Sequence, residues 1–203
     1  MSVQEWLEKG ARFDPEFSQG LSNHLPMALL ALHRLGAPDS RIDDFATRYV
    51  RRLEQAPGAD PWRSGELWQA RLGERESWSA YRGLFDEWIT REGSHLVLAQ
   101  ALPKLMEGCG AAAYHGIIRT AYAAHSNHNG ERANGLAYWA CRHLPLGTAI
   151  DGGTIVDPAF VIESLRVSTS PENLIFESMR IAAQGRDFDQ MIDVQRIVEF
   201  YSK

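Results

Sequence analysis

The chain has 203 residues, a net charge of −5, 44% apolar and 23% charged residues, which fits one globular domain with its own core and excludes a disordered or strongly basic chain. The densest basic group, Arg48, Arg51 and Arg52, falls at helical spacing and reads as a solvated face, so no nucleic-acid partner is expected. Cys109 and Cys141 form no C-x-x-C pair, Met1 to Gly10 has no apolar leader core, and the longest apolar stretch, around Pro26 to Leu32, is too short for a bilayer; a cytoplasmic protein without a membrane partner is expected.

Helical periodicity dominates and strand alternation is hard to find, so the expected class is all-α, a single-domain multi-helical bundle of roughly eight to ten helices. A short helix is predicted near Val3 to Lys9. The next runs from about Asn23 to Leu35 and stops at Gly36, a residue suited to a left-handed cap. Pro38-Asp39-Ser40 opens a helix ending near Glu54, with Ser40 and Asp43 at capping-box spacing. Ala56 to Gly65 reads as a Pro/Gly loop. From about Glu74 to Glu92 a helix carries Trp78, Tyr81, Phe85 and Trp88 at i, i+3, i+7 and i+10. This aromatic stripe either packs in the core or offers a flat ligand a stacking surface.

A helix over about His95 to Glu107 is kinked or shortened by Pro103. Gly108-Cys109-Gly110 separates it from a helix at about Ala111 to Ser126. Asn127-His128-Asn129-Gly130 is a turn, and a helix from about Glu131 to Leu144 ends at Pro145. The Gly-rich stretch Gly147 to Val156 is the best internal boundary. It divides a helical core, residues 1–146, from a C-terminal helical extension, residues 147–203, packed on the same domain. In the extension, Asp157-Pro158 and Ser170-Pro171 each read as an N-cap followed by Pro at the first helical position, and the last helix runs to about Tyr201.

Two places put polar groups inside otherwise apolar helices. In Ser22-Asn23-His24-Leu25-Pro26-Met27, Asn23 as the cap places His24 in the first turn, where the helix dipole favours neutral imidazole. Neutral imidazole accepts a proton or binds a metal; a capping or core histidine is the plainer alternative. His33 points about 180° away and drops out. In Tyr114-His115-Gly116-Ile117-Ile118-Arg119-Thr120-Ala121-Tyr122, Arg119 lies about 40° and Tyr122 about 20° from His115, on either side of one stripe. A histidine, a guanidinium and a phenol on one apolar face are expensive to bury. They serve either a site or an internal polar network with Glu131 or an Asp. His125 and His128 lie one turn apart without an evident third metal ligand. No G-x-G-x-x-G joins a strand to a helix, no phosphate-binding G-x-x-x-x-G-K-[ST] occurs, and neither cysteine has an activating motif.

These segments resemble a known family. Phe17-Ser18-Gln19-Gly20-Leu21-Ser22-Asn23-His24-Leu25-Pro26-Met27 followed by Leu35-Gly36 is similar to the opening of the questin oxidase-like family, which carries an Asn-His-x-Pro segment, a leucine-rich helix and Leu-Gly. Leu72-Gly73 with Tyr81 and Phe85 looks like its Leu-Gly … Tyr … Phe stretch. The Tyr114 to Tyr122 segment resembles its central His-Gly-(Leu/Ile)-Ile-Arg or His-Pro-(Leu/Ile)-Ile-His segment, and Leu136-Ala137-Tyr138-Trp139-Ala140 the helix after it. Order and spacing agree from about Phe17 to Leu146, roughly two-thirds of the chain.

The resemblance implies a helical oxidoreductase. Fungal members are associated with NADPH-dependent, Baeyer–Villiger-type oxygen insertion into an aromatic polyketide quinone. His24 and His115 map onto the family's clearest polar positions, with Asn23 beside the first. Arg119 replaces the fungal-type histidine and fits a short, bacterial-type member; longer members continue with further histidine segments, whereas this chain has no histidine after His143. The expected activity is oxidation of a planar aromatic compound held between the His24 and His115 helices. His24 or His115 would remove a phenolic proton. Arg119 would stabilise the anion or a nicotinamide phosphate. Asn23, Tyr122, Trp78, Tyr81 and Trp88 would contact the substrate. NADPH is implied by the resemblance alone and no metal is expected. The partner is a small aromatic molecule, and a homodimer is left open. The alternatives are a non-catalytic helical small-molecule-binding protein and a metalloprotein built on His24, His115 and His125.

Overall fold

The computed structural model describes residues 1–58, 62, 65–146, 175 and 177. Among the described residues the chain is all-α in class, with seven α-helices: α1 (Val3–Gly10), α2 (Leu25–Arg34), α3 (Asp39–Tyr49), α4 (Trp78–Glu92), α5 (Ser94–Met106), α6 (His115–Ala124) and α7 (Asn129–Cys141). Two short strands, β1 (Glu16–Phe17) and β2 (Leu21–Ser22), pair antiparallel with Glu16 opposite Ser22. The predicted boundary at Gly147–Val156 and the helices expected after Asp157 and up to Tyr201 fall outside the described residues, and of the helix expected after Ser170 only Ile175 and Glu177, both helical, are described. Among the described residues no helix is long and apolar enough to cross a membrane.

Local chemistry sets the helix starts. Ser2 and Glu5 form a reciprocal capping box that opens α1, an arrangement that stabilises a helix by about 1 kcal/mol. The buried face of α1 is Val3, Trp6 and Leu7, at the one-turn spacing of an amphipathic helix. The capping box predicted for α3 does not form. Pro38 is the N-cap and makes no side-chain cap bond. Asp43 instead accepts from Trp6 Nε1 at 2.9 Å and from the amino terminus at 3.2 Å. A charge-assisted partner from another helix displaces the local one.

Two hydrophobic clusters result. One joins α1, α2 and α3 through Trp6, Leu25, Leu29 and Ile42. The other joins α4, α5 and α7 through Trp78, Tyr81, Phe85, Val97 and Trp139. The aromatic stripe of α4 is therefore core. Helix α7 runs through the middle of the second cluster, buried on nearly every side from Ala133 to Cys141. Helix α6 lies hard against it. A Cβ on Gly116 would stand 2.9 Å from Trp139 Cα, and one on Gly135 would stand 3.0 Å from Thr120 Cα. These two glycines let the helix backbones approach, and this contact fixes where His115 sits.

Helix α6 begins at His115, not near Ala111 as periodicity predicts. Ala112, Ala113 and Tyr114 have φ of 48°, 52° and 68°, three successive left-handed residues without a glycine. Each costs about 1–2 kcal/mol relative to ordinary backbone. Helix α5 runs unbroken through Pro103 to Met106.

Candidate active site

The site lies where the two clusters meet. Its first wall is the β1–β2 hairpin and the start of α2. Asn23, 2% exposed, donates from Nδ2 to the Asp14 carbonyl and accepts at Oδ1 from the Leu25 N–H at 3.0 Å. This capping bond falls one residue away from the predicted boundary, so His24 occupies the N-cap position itself. The His24 backbone N–H donates to Tyr49 Oη, and His24 Nδ1 lies 2.7 Å from the Ser22 carbonyl.

The second wall is the left-handed turn before α6. His115 Nδ1 lies 2.7 Å from the Ala112 carbonyl, which the strained backbone aims at the ring. The two imidazoles meet edge to face, with Nε2 of His24 2.9 Å from Nε2 of His115. A carbonyl oxygen only accepts, so both Nδ1 atoms carry the proton. In the neutral rings both Nε2 atoms are then lone pairs, and they face each other. Burial holds His24 below the ordinary histidine range; the bond to Ser22 opposes this, and His115 beside it adds to it.

Both histidines line a cavity of about 370 Å³, together with Phe17, Leu21, Glu16 and Arg142. Ile175 and Glu177, from beyond the helical core, line it too. Its floor is an ion network. Glu16, 7% exposed, accepts from Arg142 Nε at 2.8 Å, from Arg75 Nε at 2.9 Å and from Tyr138 Oη at 3.1 Å. Arg75 also pairs with Asp14. Burial works against the Glu16 charge, but the Arg142 and Arg75 guanidiniums outweigh it and hold the carboxyl below its usual range. Burial, with the Glu16 charge added, pushes the Tyr138 phenol far up, so it stays protonated. Tyr138 donates to Glu16, which leaves the Ser22 hydroxyl to donate to Tyr138 across 2.7 Å. The same Ser22 presents the carbonyl that orients His24. Ion network, hairpin and imidazole are thus one connected unit.

The structure brings His24 and His115 together and puts Asn23 behind them as a brace. It places the other predicted residues elsewhere. Arg119, 3% exposed, is held by Glu131 through Nε–Oε1 at 2.7 Å and Nη2–Oε2 at 3.0 Å, and does not line the cavity. Asn134 joins that buried network by donating to Glu131. Tyr122 packs on the α1–α3 cluster. Trp78 and Tyr81 are enclosed in the α4–α7 core, and Trp88 stacks on Phe85 at its edge. These aromatic side chains belong to the core cluster, so the apolar contacts offered to a ligand come from Phe17, Leu21, Ala112, Ala113 and Ile175.

Both ring nitrogens of His128 have protein partners. Its Nδ1 caps α7 by accepting the Glu131 N–H, and its Nε2 faces Glu8. Among the described residues no group of three or more His, Cys, Asp or Glu side chains assembles for a metal ion. Sequence reasoning missed Glu16, Ser22, Arg142 and Phe17 as site residues. Glu16 and Arg142 are 126 positions apart and carry no shared local signal.

No curated protein matches the chain. No solved structure matches it either. The sequence model described as questin oxidase-like matches residues 21–190. That span contains both histidines, Tyr138, Arg142 and Glu177, and extends past Leu146. A match over most of the 203 residues, with the two mapped histidines meeting at one cavity, means that the chain belongs to the questin oxidase-like family, which at the family level places it among oxidoreductases.

Proposed function

We propose that the protein is an oxidoreductase acting on a planar aromatic, polyketide-like compound held in the cavity beside His24 and His115. The observation that carries this reading is the pair of Nε2 atoms 2.9 Å apart on the cavity wall, each ring locked through Nδ1 to a carbonyl. An imidazole fixed in this way needs no reorientation to accept a proton from a bound phenol. A volume of about 370 Å³ lies towards the lower end of small-molecule sites, and suits one compact flat ligand. Phe17 and Leu21 are among its apolar contacts, and the α4 aromatics are not.

The finer proposal is oxygen insertion of the Baeyer–Villiger type with NADPH as electron donor, and its support is the resemblance to the family alone. The described lining does not itself fit the dinucleotide. Arg142 on the cavity wall is committed to Glu16, and Arg119, expected to meet a phosphate, is buried against Glu131. The residues of this chain contribute proton handling and a shaped apolar slot.

The test is a panel of hydroxyanthraquinones and related flat phenols, followed by dioxygen uptake and product mass, each with and without NADPH. Turnover with at least one member, abolished in His115→Ala and His24→Ala, is expected. Thermal stabilisation by the panel without any turnover would instead make the chain a binding protein. Neither turnover nor stabilisation would remove the proposed site.

A further inference from the structure

Resting on the reading of the cavity as a site for flat phenols, we infer that His24 and His115 act as one acceptor holding a single proton between their Nε2 atoms, and that the ligand is bound as its phenolate. Both Nδ1 positions are occupied by protons donated to the Ser22 and Ala112 carbonyls. With no proton between them, two lone pairs oppose each other across 2.9 Å. With two, adjacent imidazoliums repel. With one, a single N–H···N bond forms at an ordinary hydrogen-bond length, and the pair carries one positive charge. When a phenol meets the pair in its neutral form, its O–H bond breaks and an N–H bond forms at one Nε2 and is shared with the other; when the pair already holds its proton, the phenol proton leaves to solvent, and in both cases the phenolate oxygen remains beside the cation. No electrons are transferred in this step.

The surrounding charges leave this role to the pair. Arg119 cannot balance a phenolate in the cavity, because its guanidinium is bound by Glu131 inside the α6–α7 interface. On the hairpin side Glu16 is matched by Arg75 and by Arg142 at the end of α7, and Arg75 also holds Asp14. From α3, Tyr49 presents its hydroxyl to the His24 backbone. Among the described residues Glu177 is the remaining titratable group on the cavity wall; it is exposed, and it opposes an anionic ligand. The substrate class that follows is an acidic hydroxyaromatic, such as a hydroxyquinone, in preference to a quinone without a hydroxyl group.

The probe is 1,2-dihydroxyanthraquinone, whose visible spectrum distinguishes phenol from phenolate. It is titrated with pH, free and bound to the full-length protein. The bound dye is expected to ionise at least about one pH unit below the free dye, a tenfold preference for the anion. His24→Gln and His115→Gln should each bind the dye yet lose the shift, because Gln hydrogen-bonds but holds no extra proton; Glu177→Gln should enlarge it. Should the wild-type protein bind the dye without displacing its ionisation, the shared proton is overturned while the flat-ligand site stands. Failure to bind the dye or any related phenol would overturn the site reading itself. A stoichiometric metal in the purified wild-type protein that is lost in His24→Gln would also overturn the inference, since a metal cation would then occupy the proton's place.

Discussion

His115 and Arg119 sit one turn apart on the same helix and end in opposite environments. His115 opens α6 at the cavity, where the start of α2 brings a second imidazole to it. Arg119 points into the α6–α7 interface and meets Glu131, both almost fully buried. The first pair is reachable from the cavity; the second is held by a bidentate bond and sealed, with Arg119 Nη1 and Asn134 Oδ1 buried without a hydrogen-bond partner among the described residues. Polar residues on one helical stripe therefore need not serve one purpose. What decides is which neighbouring element arrives, and whether water arrives with it.

Breaking the sealed pair should have the largest effect on folding. Arg119→Ala strands the Glu131 carboxylate in the interior and should cost about 3–5 kcal/mol in urea unfolding. Arg119→Met combined with Glu131→Leu should recover most of that loss, and a double variant as unstable as the single one would contradict the assignment.

Glu16→Gln tests the link between network and cavity, and should cost about 1.5–3 kcal/mol at neutral pH, as for hydrogen bonds to charged groups. The native carboxyl is held below its ordinary value of 4.5. Its contribution is thus complete above that value and is lost as pH falls through the lower, folded one. The stability gap between wild type and variant should close in acid; a gap that widened there would reverse the sign.

Gly116→Ala pushes a methyl group towards Trp139 Cα and should cost about 1–3 kcal/mol. Because residue 116 follows His115, the variant should also weaken dye binding; a crystal structure with the imidazoles still in contact would separate the two effects.

The smallest effect on stability belongs to the open pair. His24→Ala and His115→Ala should each stay within about 0.5 kcal/mol of wild type. Calorimetry showing a large drop for either would make the pair a folding element instead of a working one.

Several of these features are legible in the sequence. The all-α class follows from periodicity, and the α4 stripe of Trp78, Tyr81 and Phe85 packs in the core, one of its two expected fates. Asn23 and His24 drew attention because a cap beside Pro26 is a local pattern. Other features carried no such pattern. Ala112, Ala113 and Tyr114 read as helix, since none is a residue that favours left-handed backbone, and the α6–α7 packing overrides their preference. Asp43 stands at capping-box spacing, but Trp6 from another helix takes its carboxylate.

By itself the sequence determined the helical class, most helix positions and the two histidines worth watching, because periodicity, caps and turn residues act over a few neighbours. The tertiary structure alone decided that His24 and His115 touch, that Arg119 turns inward, and that Glu16 joins Arg142 beneath the cavity. Those contacts join residues 91, 12 and 126 positions apart. Only the packing of the helices, a global balance of burial against charge desolvation, selects them.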